Sequence, residues 1–224
     1  MDAIKFLLDN TFVQCGPLVF QQIKGIPMGS NCSPLPADLY LTWLEFKYMD
    51  KLMKKDFQMA TKLSNNARYI DDIACVNVQN FSEIAKEIYP KDIPLEGNNS
   101  DGFRDVFLDL DIQVTNDRFC IKVYHKIDEF NFEVVNYPFP DSNISDTIGY
   151  NTFLSQILRF GRICSKFQDF ASRTKFIYNK LESRGFKGVL LIKYFYKFCC
   201  KYPEMVRKFG FNNFRDFRLA CFAT

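Results

Sequence analysis

Residues 67–78 read ARYIDDIACVNV. Two aspartates, Asp71 and Asp72, interrupt an otherwise apolar run. Adjacent like charges repel, and each loses hydration on partial burial. A divalent cation between them would offset both costs. Ala67, Tyr69 and Ile70 precede the pair, and Ile73, Cys75, Val76 and Val78 follow it. This pattern predicts two short strands joined at the acidic pair. Neighbouring strand residues point to opposite faces, but at a tight hairpin turn both carboxylates can approach one ion. Magnesium prefers carboxylate, water and phosphate oxygens. Asp-Asp is also common in plain surface turns, so the two letters alone leave both readings open.

The rest of the chain bounds the choice. Its 224 residues suffice for one large domain or two small ones. Twenty-five Phe and 11 Tyr provide ample apolar surface to bury, which argues against a disordered chain. No apolar run approaches the roughly 20 residues that span a bilayer, and no membrane partner is expected. The opening MDAIKFLLDN is too acidic, and its apolar run too short, for a secretory signal. Eight cysteines form no C-x-x-C pair, and His125 is the only histidine. Zinc-site and Ser-His or Cys-His hydrolase chemistry are therefore poorly served. The cysteines lie mostly in apolar stretches and read as reduced core residues of an intracellular protein.

Charge is divided along the chain. Residues 159–224 hold 15 Lys and Arg against 4 Asp and Glu, a net of +11. The first 158 hold 14 against 22, a net of −8. Carboxylates to hold metal and cations to hold phosphate suit a nucleic-acid enzyme. A solvated basic helical surface accounts for the same numbers equally well.

Hydrophobic periodicity predicts mixed elements first and helices afterwards. Gly25, Pro27, Gly29 and Asn31 mark a loop, and Ser33-Pro34 opens a helix, with the serine as cap. Leu35, Leu39, Trp43, Leu44 and Phe46 recur along that helix into KLMKKDF. Asn80 is positioned to cap a helix FSEIAKEIY, and EGNNSDG is a turn cluster. Val106, Leu108, Leu110, Ile112 and Val114 alternate with Phe107, Asp109, Asp111 and Gln113, which predicts one half-buried strand. Asn116-Asp117 turns it into RFCIKVYHK, and NFEVVNY suggests a further strand. From Phe153 the spacing is helical, with Arg159, Arg162 and Lys166 on a basic stripe. Gly185 ends a helix over KFIYNKLESR, and VLLIKYFYKFCCKY reads as a last buried helix. The composition changes near Asp141–Thr147.

Three blocks together carry a family resemblance. Tyr69-Ile70-Asp71-Asp72 resembles the Y-x-D-D box of reverse transcriptases. Upstream, Phe20-x-Gln22-x-x-Gly25-x-Pro27-Met28-Gly29-Ser30, then Ser33-Pro34 and Ala37-x-Leu39-Tyr40-Leu41, resembles motif B as found in Penelope-like retroelements. Downstream, FLDLDI, F-x-x-K-V-Y-x-K, LRFGRICSKFQDFASR and LESRGF follow in the family's order. The resemblance implies an α+β fold. A partial right-hand polymerase palm, a short antiparallel sheet with helices, would occupy residues 1–145. An all-α basic thumb would occupy 146–224.

The implied activity is RNA-directed DNA polymerisation, a nucleotidyl transfer using two Mg²⁺ or Mn²⁺ ions, an RNA template, a DNA primer and deoxynucleoside triphosphates. Asp71 and Asp72 would be the catalytic, metal-holding pair, with Asp72 more a supporting neighbour. Gln22, Gly25, Pro27, Met28, Gly29 and Tyr69 would line the nucleotide and template pocket. Lys122 and Lys126 would grip the primer, and Arg159, Arg162 and Lys166 the duplex. Competing structural roles exist for each: a core gap for Met28, a turn brace for Gln22, a solvated strand face for Lys122 and Lys126.

The family pattern also breaks. A two-metal site needs another aspartate, which in the family ends a strand upstream of motif B. Asp2 and Asp9 lack such a strand, so the fingers and the first catalytic carboxylate are expected to be missing. Asp109 and Asp111 lie in the wrong order to replace it and read as a polar strand face. The chain is thus expected to be an incomplete polymerase portion that needs an upstream segment. The alternative is an inactive remnant, or a module repurposed to bind nucleic acid.

Overall fold

The computed structural model describes residues 2–95, 97, 103–115, 118–132, 134, 136–143 and 145–222. The fold is α+β with small antiparallel sheets. Two compact units divide the chain, Met1–Asn98 and Asn99–Thr224.

The first unit begins with α1 (Asp2–Asp9) and the hairpin β1 (Phe12–Cys15) and β2 (Leu18–Gln21). A loop leads into α2 (Pro34–Lys55) and α3 (Phe57–Leu63). The hairpin β3 (Ala67–Tyr69) and β4 (Asp72–Ala74) follows, then α4 (Phe81–Ile88). Asp56 breaks the long helix and caps the next, its carboxylate accepting from the Met59 N–H at 2.9 Å. The caps expected at Ser33 and Asn80 do not form: neither side chain bonds to its helix. Ser33 already has helical torsions and gives its hydroxyl to the preceding loop, while Asn80 is left-handed at φ 57°. Burial is sparse here. Ala60, Leu63, Ala85 and Tyr89 are the buried apolar residues, and α2 buries none.

The second unit opens with β5 (Arg104–Phe107), β6 (Leu110–Thr115) and β7 (Arg118–Val123), an antiparallel sheet in that order. The single strand expected over 106–114 is in fact a hairpin, with Phe107 paired to Leu110 and Leu108-Asp109 at the turn. Alternation misled because a two-residue turn leaves the apolar/polar count unbroken. Pairing of Thr115 with Arg118 agrees with the hairpin expected at Asn116-Asp117, residues that themselves lie outside those described. All of EGNNSDG except Gly97 also lies outside them. The described residues of 131–137 form no strand.

After a short 3-10 helix (Lys126–Glu129) come α5 (Asp146–Ile163), α6 (Phe167–Ser183), α7 (Gly188–Lys201), α8 (Pro203–Lys208) and α9 (Phe214–Phe222). Gly185 ends α6 as expected. At φ 93° it lets its N–H reach the Glu182 carbonyl and the Phe186 N–H reach that of Leu181, closing the helix end. The core is aromatic. Phe153, Phe170, Phe195, Phe198 and Phe217 are fully buried, with Phe170 and Phe195 stacked on Phe217 at 5.5 and 5.7 Å.

The sheet belongs with these helices rather than with the acidic hairpin. Val123 of β7 is buried in the helical core. Ser165, between α5 and α6, exchanges two 2.7 Å hydrogen bonds with Ile121. Contacts divide the chain after Asn98, whereas the change in composition and the family resemblance both pointed near residue 145. α7 is amphipathic rather than wholly buried. Leu191, Phe195, Phe198 and Cys199 face inward, while Lys193, Lys197 and Lys201 are exposed. Two more helices follow it. All eight cysteines are free, but only Cys164, Cys199 and Cys221 are buried, so the reading of the rest as core does not hold. Among the described residues no helix is long and apolar enough to cross a membrane.

Candidate functional site

The acidic pair sits at a hairpin tip. Tyr69 pairs with Asp72 across β3 and β4, leaving Ile70-Asp71 as a two-residue turn. Such turns match strand twist when the first turn residue has positive φ. In the β1–β2 hairpin that residue is Gly16 at φ 60°, which costs nothing sterically. Here it is Ile70 at φ 55°, a β-branched residue in a region L residues avoid by about 1–2 kcal/mol. The turn stores local strain beside two exposed carboxylates, a combination found at functional sites. Neither carboxylate has a side-chain partner among the described residues.

What holds the hairpin is an arginine that the motif reading passed over. Arg68 lies one residue before the box, its side chain only 11% exposed. It donates to Glu45 Oε1 at 2.6 Å, Asp38 Oδ1 at 2.8 Å, Thr42 Oγ1 at 2.8 Å and the Ile70 carbonyl at 3.1 Å. Asp38, Thr42 and Glu45 share one face of α2 by their four- and three-residue spacing. Burial opposes the arginine's charge, but its bonds to Glu45 and Asp38 outweigh this and hold its pKa above the ordinary value. Tyr89 joins the network, donating to Glu45 at 2.6 Å. Burial first, then the bond to Glu45, pushes the Tyr89 phenol upward. The signal was present in the sequence as a polar stripe on a stretch otherwise apolar from Leu35 to Phe46, but nothing local says that an arginine will meet it.

The loop before α2 is tied to the same helix. The Ser33 hydroxyl donates to the Pro27 carbonyl at 2.6 Å. Gln22 spans the loop base, giving its amide to Lys24 O at 3.0 Å, so it does brace a turn. Gly25 and Gly29 have φ of 84° and 86°. An added Cβ at Gly29 would meet nothing within 4 Å, so backbone conformation, not crowding, calls for glycine there. Met28 is wholly exposed, which excludes the core-filling role. Tyr69 is 58% exposed. Loop and hairpin therefore share α2 as an anchor, through Ser33 at its start and Arg68 along its first three turns.

No match to any protein-family model, curated protein or solved structure was found for this chain.

The sequence-based cation set lies in the second unit, and its members differ. Arg159 is taken up by Asp109 at 2.7 Å and Gln156 at 3.3 Å. Lys122 stands 3.4 Å from Asp111. Arg162, Lys166 and Lys126 are exposed. Arg162 is on α5, but Lys166 lies past its end, before α6, so the three-member stripe is broken at Ile163. Asp109 and Asp111 are not a free polar face. Asp111 is buried and held by Arg104 through 2.8 and 3.0 Å bonds. The Arg104 bond, and then the nearby Lys122 charge, lower its pKa against the opposing effect of burial.

Whether the tip fits a divalent ion depends on the donor set. Asp71 and Asp72 supply carboxylate oxygens only, the chemistry magnesium and manganese prefer. Among the described residues no group of three or more His, Cys, Asp or Glu side chains stands together. Magnesium is commonly held by one or two carboxylates with water and substrate phosphates. The pair thus fits as part of such a site, and a second ion would need a carboxylate beyond it.

Proposed function

We propose that this chain is a portion of an RNA-directed DNA polymerase of the Penelope-like retroelement type, carrying the segment from motif B through the thumb. The observation that supports this best is the strained two-residue turn. It presents Asp71 and Asp72 at an exposed tip and is fastened by Arg68 to the helix that follows the Gly29 loop. In this reading Asp71 holds Mg²⁺ or Mn²⁺ and Asp72 supports it. A bound divalent ion would stabilise charge on the reacting phosphate oxygens. Gly25, Pro27, Met28 and Gly29 would form an open backbone surface for the incoming nucleotide, with Gln22 bracing it and Tyr69 beside it. RNA template and DNA primer would lie against Lys122, Lys126, Arg162 and Lys166, with Arg159 contributing less because Asp109 already neutralises it.

The test is Mn²⁺ binding by the full chain, read by electron paramagnetic resonance with primer–template and a deoxynucleoside triphosphate present. A saturable site lost in Asp71→Ala is expected. Equal spectra for both proteins would refute the assignment. Primer extension by this chain alone, abolished by Asp71→Ala, would instead show that the carboxylate set is already complete.

A second reading is a nucleic-acid-binding module without chemistry. The exposed Arg162 and Lys166, in a region of net charge +11, favour it. It predicts salt-sensitive duplex binding that survives Asp71→Ala.

A further inference from the structure

We infer that the second unit carries a separate cleft for an unpaired nucleotide base, formed between α6 and the segment after the 3-10 helix. The inference rests on the nucleic-acid reading above and adds a single-strand subsite to it. The cleft has a volume of about 520 Å³ and is lined by Ile127, Phe132, Phe176, Asn179, Lys180 and Ser183, among others. That volume lies in the range of small-ligand sites. Two of its walls are phenylalanine rings left in water: Phe132 is 63% exposed and Phe176 51%. Phe130 stacks on Phe132 at 5.0 Å with an interplanar angle of 20°, backing one face of that ring and leaving the other for a ligand.

A protein leaves such rings exposed at a cost, and clustered exposed apolar surface marks a binding site. The surroundings select the occupant. Lys180 lies between two rings, its Nζ 5.9 Å from the centroids of both Tyr137 and Phe176, and donates to the Val134 carbonyl at 3.0 Å. It is thereby held in place as a fixed positive charge at the cleft wall. Asp128, the one acid among the described lining residues, is ion-paired with Arg173, so it does not repel an anion as a free carboxylate would. The Asn179 amide offers both a donor and an acceptor, as a base edge requires. An apolar peptide could use the rings and the Asn179 amide but would bring no anionic group to the lysine. A base uses the ring faces for stacking, and its phosphate meets the lysine.

The experiment uses the full chain and a short single-stranded RNA carrying one 2-aminopurine, with a blunt duplex of the same sequence as control. The wild-type chain is expected to change the fluorescence of the single strand, because stacking on a ring alters the environment of the probe. Phe132→Ala with Phe176→Ala should weaken single-strand affinity about tenfold or more and leave duplex affinity unchanged. Phe132→Tyr with Phe176→Tyr should restore it, which separates ring stacking from a folding defect. Single-strand binding unaffected by ring removal, or equal losses for single strand and duplex, would overturn the cleft. A Mn²⁺ signal unchanged by Asp71→Ala, with the cleft intact, would instead remove the polymerase reading and keep this one.

Discussion

Replacing Arg68 with alanine would test whether one buried side chain positions the acidic hairpin. The guanidinium makes two bonds to carboxylates, one to a hydroxyl and one to a carbonyl of the turn itself. A hydrogen bond to a charged group contributes about 1.5–3 kcal/mol net. Full removal of a partner from a buried pair costs about 3–5 kcal/mol. The side chains here are graded, with Arg68 11% exposed, Glu45 29% and Asp38 54%, so solvent weakens the Asp38 bond most. Tyr89 still satisfies Glu45 after the change. A loss of roughly 2–3 kcal/mol follows, local to the hairpin and its docking on α2.

Because the chain has two units, a global melt would blur this effect. Amide hydrogen exchange over residues 67–75 isolates it. At about 1.4 kcal/mol per tenfold, exchange there should accelerate about 30- to 140-fold, with residues 188–201 unchanged. Arg68→Lys keeps the charge but not the fork, and should recover only part of the protection. Exchange within about twofold of wild type in Arg68→Ala would refute the claim that this network holds the turn.

Three further outcomes follow from the second unit. Gly149→Ala should lower its stability by about 1–3 kcal/mol, read as a drop in melting temperature. The added Cβ would lie 2.2 Å from the Phe186 ring, and both residues are buried. Asp111 has a folded pKa below its unfolded value of about 3.9, so its pairing with Arg104 stabilises above that value and is lost as pH falls through the lower folded one. Melting temperature should decline below about pH 4, and Asp111→Asn should flatten that limb while lowering the plateau. For duplex binding, Arg162→Gln should reduce the slope of log affinity against log salt by about 0.9. Arg159→Gln should reduce it by less, since Asp109 already pairs with Arg159.

Much of the local structure was legible because it depends on near neighbours. Gly185 closes its helix, Pro34 opens α2, and the residues around Asp71-Asp72 form a hairpin, each as pattern and turn chemistry require. Legibility failed where a local pattern had two solutions. The 106–114 stretch alternates well as a strand, yet it folds back at Leu108-Asp109, and Asp109 there bonds to Arg159 of α5, fifty residues away. Ser33 is a good cap by type, but its hydroxyl goes to Pro27 instead.

Most of the helices, though not α8 and α9, were readable from the letters alone, as were where charge accumulates and that two carboxylates stand together after Tyr69. Those properties belong to residues close in the chain, where backbone preference and side-chain period act directly. What holds that pair, and which cations stay available, depends on how remote parts of the chain meet. The fold set Arg68 into the polar stripe of α2, spent Arg159 on Asp109, buried Asp111 under Arg104, and grouped the three-stranded sheet with the helices. Each of these outcomes depends on distances between parts remote in sequence, and a charge or hydroxyl has the same letter whether its partner is a neighbouring side chain, a phosphate or water.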